Sequence, residues 1–144
     1  MATEARIGLG TEFWLEATAG GTLTQLGEVL SVPSPGVEVE EIEATHMGSA
    51  GGYREFIPGF KTGTTGDIVM NYVPGSATDV LIKAALTDRE TRGYKIVIPD
   101  GDTGWEITGD VVVLGYTKDI PIDDRMTATV TVRFTGESTE AAGA

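Results

Sequence analysis

Thr127 to Thr135 alternates without a break. Ala128, Val130, Val132 and Phe134 fall on one side, and Thr129, Thr131 and Arg133 on the other. A period of two over this length predicts a strand with one face in a core. The same period recurs along the chain. Thr11 to Ala17 sets Phe13 and Leu15 against Trp14 and Glu16. Thr22 to Val32 reads as one extended segment, broken by Pro33, Pro35 and Gly36. Val37 to Glu43 puts Val37 and Val39 on one face and Ile42 on the other, so the phase shift at Glu40-Glu41 predicts a bulge. Thr62 to Val73 is the clearest long strand, with Ile68, Met70 and Tyr72 opposite Val69, Asn71 and Val73. Tyr94 to Ile98 and Trp105 to Tyr116 complete the set.

A single segment switches to the helical period. Ala77, Val80, Leu81, Ala84 and Ala85 stand at i, i+3, i+4, i+7 and i+8. Ser76 with Asp79 three positions on forms a capping box. The predicted helix runs from about Ala77 to Leu86, frays towards Arg92 and stops at Gly93. Its small apolar stripe is expected to pack on a sheet. Together these elements predict an all-β to β-rich α+β fold, with seven or so strands in two packed antiparallel sheets and one short helix. One domain is expected over residues 1–136, with an N-terminal arm of about ten residues and a flexible tail at 137–144.

Glu43 to Phe60 fits neither period. It carries the only histidine, His46, together with Gly48, Gly51, Gly52 and Gly59. Glycine loses more entropy on ordering than other residues, so a long glycine-rich loop is costly to fix. Tyr53, Phe56 and Ile57 inside it are residues a solvated linker does not need. The stretch is expected to be a mobile loop that orders against a partner. Beside it, Glu38, Glu40, Glu41 and Glu43 are read first as a solvated edge that discourages wrong strand pairing.

Charge narrows the function. The formal net charge is −12, and the basic residues do not cluster. Gripping nucleic acid needs clustered Lys and Arg, whereas an acidic wall repels a polyanion. No cysteine is present, which removes disulfides and thiolate metal sites. No basic leader followed by an apolar run opens the sequence, and no apolar run reaches the ~18 residues of a membrane span. The protein is expected in the cytoplasm, or in an assembly built there, with no membrane.

The chemistry of catalysis is missing from the pattern. A triad would have to use His46, and no strained Gly-x-Ser-x-Gly turn accompanies it. Asp100-Gly-Asp-Thr-Gly104 begins like a calcium loop, but position twelve falls on Val111, so the EF-hand set fails. A looser calcium site at Asp123 and Asp124 stays open. Gly8-Leu-Gly10 lacks the third glycine of a dinucleotide fingerprint, and no phosphate-cradling loop exists. No catalytic residue, metal or cofactor is expected.

Three segments in order carry a resemblance: Val39-Glu-Glu-Ile-Glu-Ala-Thr-His-Met47, Arg54-Glu-Phe-Ile-Pro-Gly59 and Gly66-Asp-Ile-Val-Met-Asn-Tyr72. The series resembles the tail tube proteins of lambda-like phages with long, non-contractile tails, and the similarity continues through the helix and the Trp105 strand. The resemblance implies a tail-tube fold whose strands complete a β-barrel between subunits. It implies hexameric rings stacked into a hollow conduit for genome DNA, which passes without specific binding. Implied partners are further copies of the chain, a tape-measure protein, and tail-tip and tail-terminator proteins. The implied location is the virion tail, assembled in the host cytoplasm. On this reading Thr45, His46, Met47, Gly48, Tyr53, Arg54, Glu55, Phe56 and Ile57 make ring-to-ring contacts, helped by the arm and tail, and the acidic strand lines the lumen or an interface. The alternative is a small β-sandwich that binds carbohydrate or a host surface through Trp14, Trp105 and nearby aspartates.

Overall fold

The computed structural model describes residues 9–99 and 104–142. Its order is β1 (Glu12–Glu16), β2 (Leu23–Gln25), β3 (Val29–Ser31), β4 (Val37–Glu43), β5 (Phe56–Gly63), β6 (Thr65–Asn71), α1 (Ala77–Asp88), β7 (Arg92–Ile98), β8 (Trp105–Asp119) and β9 (Thr127–Ala142). Two sheets are formed, and all pairings are antiparallel. A seven-stranded sheet has the order β2-β1-β7-β8-β9-β6-β3, and β4 pairs with β5 in a separate hairpin. The large sheet curls until Leu9–Thr11, ahead of β1, and Val29–Val32, at β3, line one cleft. The second sheet is therefore only a two-stranded hairpin, and the curl with α1 supplies most of the enclosure.

Alternation decides the core. Phe13 and Leu15 of β1, Ile68 and Met70 of β6, Ile96 of β7, Val111 and Val113 of β8, and Ala128, Val130, Val132 and Phe134 of β9 are buried on one face. Tyr94 of β7 lies across the middle. Its ring stacks on Phe13 at 5.9 Å and meets Phe134 edge-on at 5.2 Å. β8 separates β7 from β9, so Tyr94 must pass over its partner in register, Gly109. A Cβ there would stand 3.1 Å from the ring, so glycine opens the path. Buried Arg92 fastens the helix to the sheet by donating to the Glu16 and Ala17 carbonyls and to Asp88.

Several expectations need correction. Residues 22–32 are not one strand: Leu26 and Gly27 interrupt them, and Glu28 turns the chain with φ +52°. Residues 62–73 are not one strand either, because Thr64 divides β5 from β6. The helix runs to Asp88 and is ended by Arg89 in the left-handed region, φ +55°, whereas Gly93 lies inside β7. Its buried face is Asp79, Leu81, Ile82 and Ala85, leaving Ala77, Val80 and Ala84 exposed. The apolar spacing was right in period but about one residue off in phase, because Asp79 is drawn inward by hydrogen bonds that hydropathy does not register. β8 continues past Tyr116 to Asp119. β9 continues past Thr135 to Ala142, and its far end pairs with Trp105–Thr108. Within the loop expected at Glu43–Phe60, residues 44–55 are irregular apart from one 3-10 turn, but Glu43 and Phe56–Phe60 belong to strands.

Candidate functional site

The β4–β5 hairpin stands off the main sheet. Its base is pinned: the Phe134 amide donates to the Thr64 carbonyl, the Thr64 amide donates to the Gly36 carbonyl, and the Gly36 amide donates to Thr64 Oγ1. Beyond the base every residue of β4 is exposed. Val37, Val39, Ile42, Phe56, Ile57 and Phe60 all present apolar surface, at 41 to 84% exposure. Ile42 pairs with Ile57, and its Cδ1 lies over Gly59, where a Cβ would be only 2.8 Å away. The expected bulge is present between Val39 and Glu41, but the extra residue belongs to β5, because two steps along β4 oppose three along β5. A two-stranded hairpin with no cover is marginal by itself in water. Apolar residues on such a hairpin make sense only if something covers them.

The tip is held by its own polar groups. The Ala44 amide donates to the Glu55 carbonyl at 2.7 Å, and the Glu55 amide donates to Thr45 Oγ1 at 2.9 Å. Thr45 Oγ1 donates to Glu43 Oε1 at 3.1 Å. The His46 amide donates to Ser49 Oγ, whose hydroxyl donates to Glu55 Oε2 at 2.8 Å. His46 Nδ1 accepts the Gly48 amide at 3.0 Å, which leaves Nε2 facing Glu55 Oε2 at 3.4 Å. Ala50–Gly52 makes one 3-10 turn, and Gly51 and Gly52 sit at φ +65° and +71°, where glycine is needed.

The residues proposed from the sequence therefore divide. Thr45, His46, Gly48, Glu55 and Glu43 build the tip, with Arg54 Nε 3.9 Å from Glu43 Oε1. Met47 and Tyr53 project outwards, and Phe56 and Ile57 belong to β5. Glu38, Glu40 and Glu41 lie exposed along β4. Ser49 and Phe60 were missed. Ser49 gives no signal in the sequence, whereas Phe60 follows the β5 strand that the glycine count concealed.

Other readings lose their footing. Trp14 lies on the outer face of the sheet beside Lys95, whose Nζ is 5.1 Å from the indole centroid. Trp105 pairs with Ile98 and stands two residues before buried Ile107, on the same face, so it rims the inner face. The two tryptophans cannot share a sugar platform. Among the described residues no group of three or more His, Asp and Glu could hold a metal. Residues 100–103 of the calcium-like turn lie outside the described residues. No described helix is long and apolar enough to cross a membrane.

A curled β-sheet with one helix and a projecting, self-braced apolar hairpin is the architecture of a structural subunit rather than of a catalytic cleft. Residues 11–141 match the model of the lambda phage tail tube protein family, and the chain belongs to that family. It is a structural tube subunit of the phage-tail class. Solved structures share the fold. A chain from the tail of an empty gene transfer agent particle superposes with TM-score 0.74 at 17% identity, over 96% of this chain and 100% of that one. The SPP1 tail tube gives TM-score 0.66 at 13% identity, over 96% of this chain and 79% of that one. A chain of the anti-feeding prophage baseplate gives 0.72 at 9% identity, over 99% and 98%. Comparison with curated proteins gives no match.

Proposed function

We propose that the chain repeats in hexameric rings that stack into a hollow tail tube, and that the β4–β5 hairpin tip, Thr45–Ile57, makes the ring-to-ring contact. The observation that carries this is the uncovered hairpin: a tip fixed by its own hydrogen bonds with Met47 and Tyr53 turned outwards. The contact joins different surfaces of successive rings, so it does not close and yields a filament. The short edge strands β2 and β3 and the free edges of the hairpin gain partners on ring formation.

The role is structural and non-enzymatic. Glu38, Glu40, Glu41 and Glu43 lie on the lumen or at a subunit interface. The net charge of −12 keeps passing DNA from sticking. The tape-measure protein occupies the conduit before DNA, tail-tip and terminator proteins close its ends, and assembly takes place in the host cytoplasm. The test is deletion of Gly48–Gly52. The variant is expected to fold as a soluble subunit that forms no tubes by negative-stain electron microscopy. Tubes of normal width and abundance would sink the reading.

A further inference from the structure

The long β8–β9 pair has two unlike ends. β8 has 15 residues and β9 has 16, so the pair spans about 45–50 Å at roughly 3.3 Å per residue. One end carries Trp105 opposite Ala142. The other, where Asp119 opposes Thr127, is closed by the turn at residues 120–126. The β4–β5 hairpin leaves the sheet at the level of Phe134, and Lys61 stands beside Gly136–Ser138. From there β5, followed back from Gly63 to Phe56, is directed towards the Ala142 end. The hairpin tip and the β8–β9 turn therefore face opposite ways along the subunit.

That turn has an apolar surface of its own. Ile120 and Ile122 are 66% and 103% exposed, and nothing in the fold uses them. The Tyr72 amide donates to the Met126 carbonyl at 2.9 Å, which fixes the end of β6 and exposed Val73 beside the turn. Asp119, Asp123 and Asp124 flank the isoleucines along the chain and outnumber Arg125, whose amide donates to Asp124 Oδ1 at 2.7 Å. The nearest lysine, Lys118, lies over the Tyr72 and Tyr116 rings at 5.2 and 5.1 Å. The tip presents Arg54, with 76% of its side chain exposed, at the end of a loose 3.9 Å contact with Glu43 Oε1. In a chain of net charge −12, copies meet at least cost where a cation faces the acidic end.

We infer that the hairpin tip of one copy seats on the β8–β9 turn of a copy in the next ring, with Met47 and Tyr53 against Ile120 and Ile122 and Arg54 towards Asp123 and Asp124. The inference rests on the proposal that the hairpin carries ring stacking, and adds the surface that receives it. Apolar residues meet apolar residues, opposite charges meet, and the two surfaces point in opposite directions, as a head-to-tail contact requires.

Disulfide trapping tests it cleanly, because the chain has no cysteine. Full-length Tyr53→Cys protein is mixed with Ile122→Cys protein, concentrated and mildly oxidised. A second mixture pairs Tyr53→Cys with Val80→Cys on the exposed helix face. A mixed dimer is expected in the first mixture and at least tenfold less in the second. Absence of the first dimer at every concentration, or a stronger second one, overturns the inference. As a second readout, Arg54→Glu is expected to raise the concentration needed for assembly about tenfold, and Asp124→Arg in the same chain to bring it back. If the pair assembles no better than Arg54→Glu alone, the charge contact is overturned. Assembly that fails on deleting Gly48–Gly52 but traps no Tyr53→Cys to Ile122→Cys dimer removes the receiving surface alone. Assembly that survives the deletion removes the stacking role itself.

Discussion

Tyr116 on β8 donates its hydroxyl to Asp79 Oδ1 at 2.9 Å and so ties the first turn of α1 to the sheet. Asp79 is 2% exposed. Its other oxygen accepts the Gly75 amide at 3.2 Å and lies 3.0 Å from Lys83 Nζ, while its own amide donates to Ser76 Oγ. Burial pushes the Asp79 carboxyl up, but hydrogen bonds from Lys83, Tyr116 and Gly75 outweigh it and hold the group below the usual carboxylate range. A depressed carboxylate stabilises the fold above its unfolded pKa of about 3.9, and that stabilisation is lost as pH falls through the folded value. Tyr116→Phe is expected to cost about 1.5–2 kcal/mol in urea unfolding at pH 7. Asp79→Asn should flatten the loss of stability below about pH 4. An unchanged acid limb would show that the buried carboxylate contributes nothing to it.

Tyr94 behaves in the opposite way. Its hydroxyl is buried without a hydrogen-bond partner among the described residues. Burial, with Asp110 and Glu140 nearby, pushes the phenol up to about 12. A raised phenol stabilises the fold below its unfolded pKa of about 10, and the contribution is lost as pH rises through the folded value. Tyr94→Phe keeps both ring contacts and removes the orphaned hydroxyl. It is expected to be neutral or to stabilise by up to about 1 kcal/mol, and to soften alkaline unfolding between about pH 10 and 12. A loss above about 1 kcal/mol at pH 7 would mean that the hydroxyl has a partner after all.

What could be read from the sequence was set by which signals are local. β9 shows its alternation because one face is buried and the other polar along Thr127–Phe134, and the Ser76 cap was equally plain because its partner is three residues away. The helix face was misphased because the inward pull on Asp79 comes from Tyr116, 37 residues later. Phe56–Phe60 of β5 was taken for loop because its apolar residues do not alternate with polar ones, as they would if one face were buried within a single copy. Within the tip, the composition showed that the stretch was unusual, but the network through Ser49 depends on geometry that Gly51 and Gly52 create. The mistakes gather where the partner is distant in sequence or where the single chain supplies no cover.

Gly63 is the joint between hairpin and sheet. A Cβ at this position would clash with the Phe134 carbonyl, and the three nearest atoms are all Phe134 backbone, so no flexible side chain can yield. Gly63→Ala must push β5 away from β9 and strain the amide of Phe134 that donates to Thr64. The expected cost is about 1–3 kcal/mol, typical of overpacking. The hairpin should also be re-aimed, so assembly falls more than stability does. Thermal unfolding and electron microscopy of the same sample check both. Assembly that drops only in proportion to stability would show that hairpin direction is not critical.

Glu55 separates folding from assembly most sharply. Its carboxylate accepts Ser49 Oγ at 2.8 Å and faces His46 Nε2 at 3.4 Å, yet its side chain is half exposed and touches no part of the core. Surface changes of this kind usually shift stability by no more than about 0.5 kcal/mol. Glu55→Ala should therefore leave urea unfolding almost unchanged. It removes the group that joins Ser49 to His46, so the tip loses its fixed shape and must be ordered again at every ring contact. Fixing even a few residues costs on the order of 1–2 kcal/mol each. A stack repeats that cost at every subunit, so the concentration needed for tube growth should rise at least tenfold. Glu55→Gln keeps an acceptor for Ser49 and should restore part of the loss. Light scattering against protein concentration measures this directly, and equal thresholds for wild type and Glu55→Ala would show that the network in the tip does not prepare it for assembly.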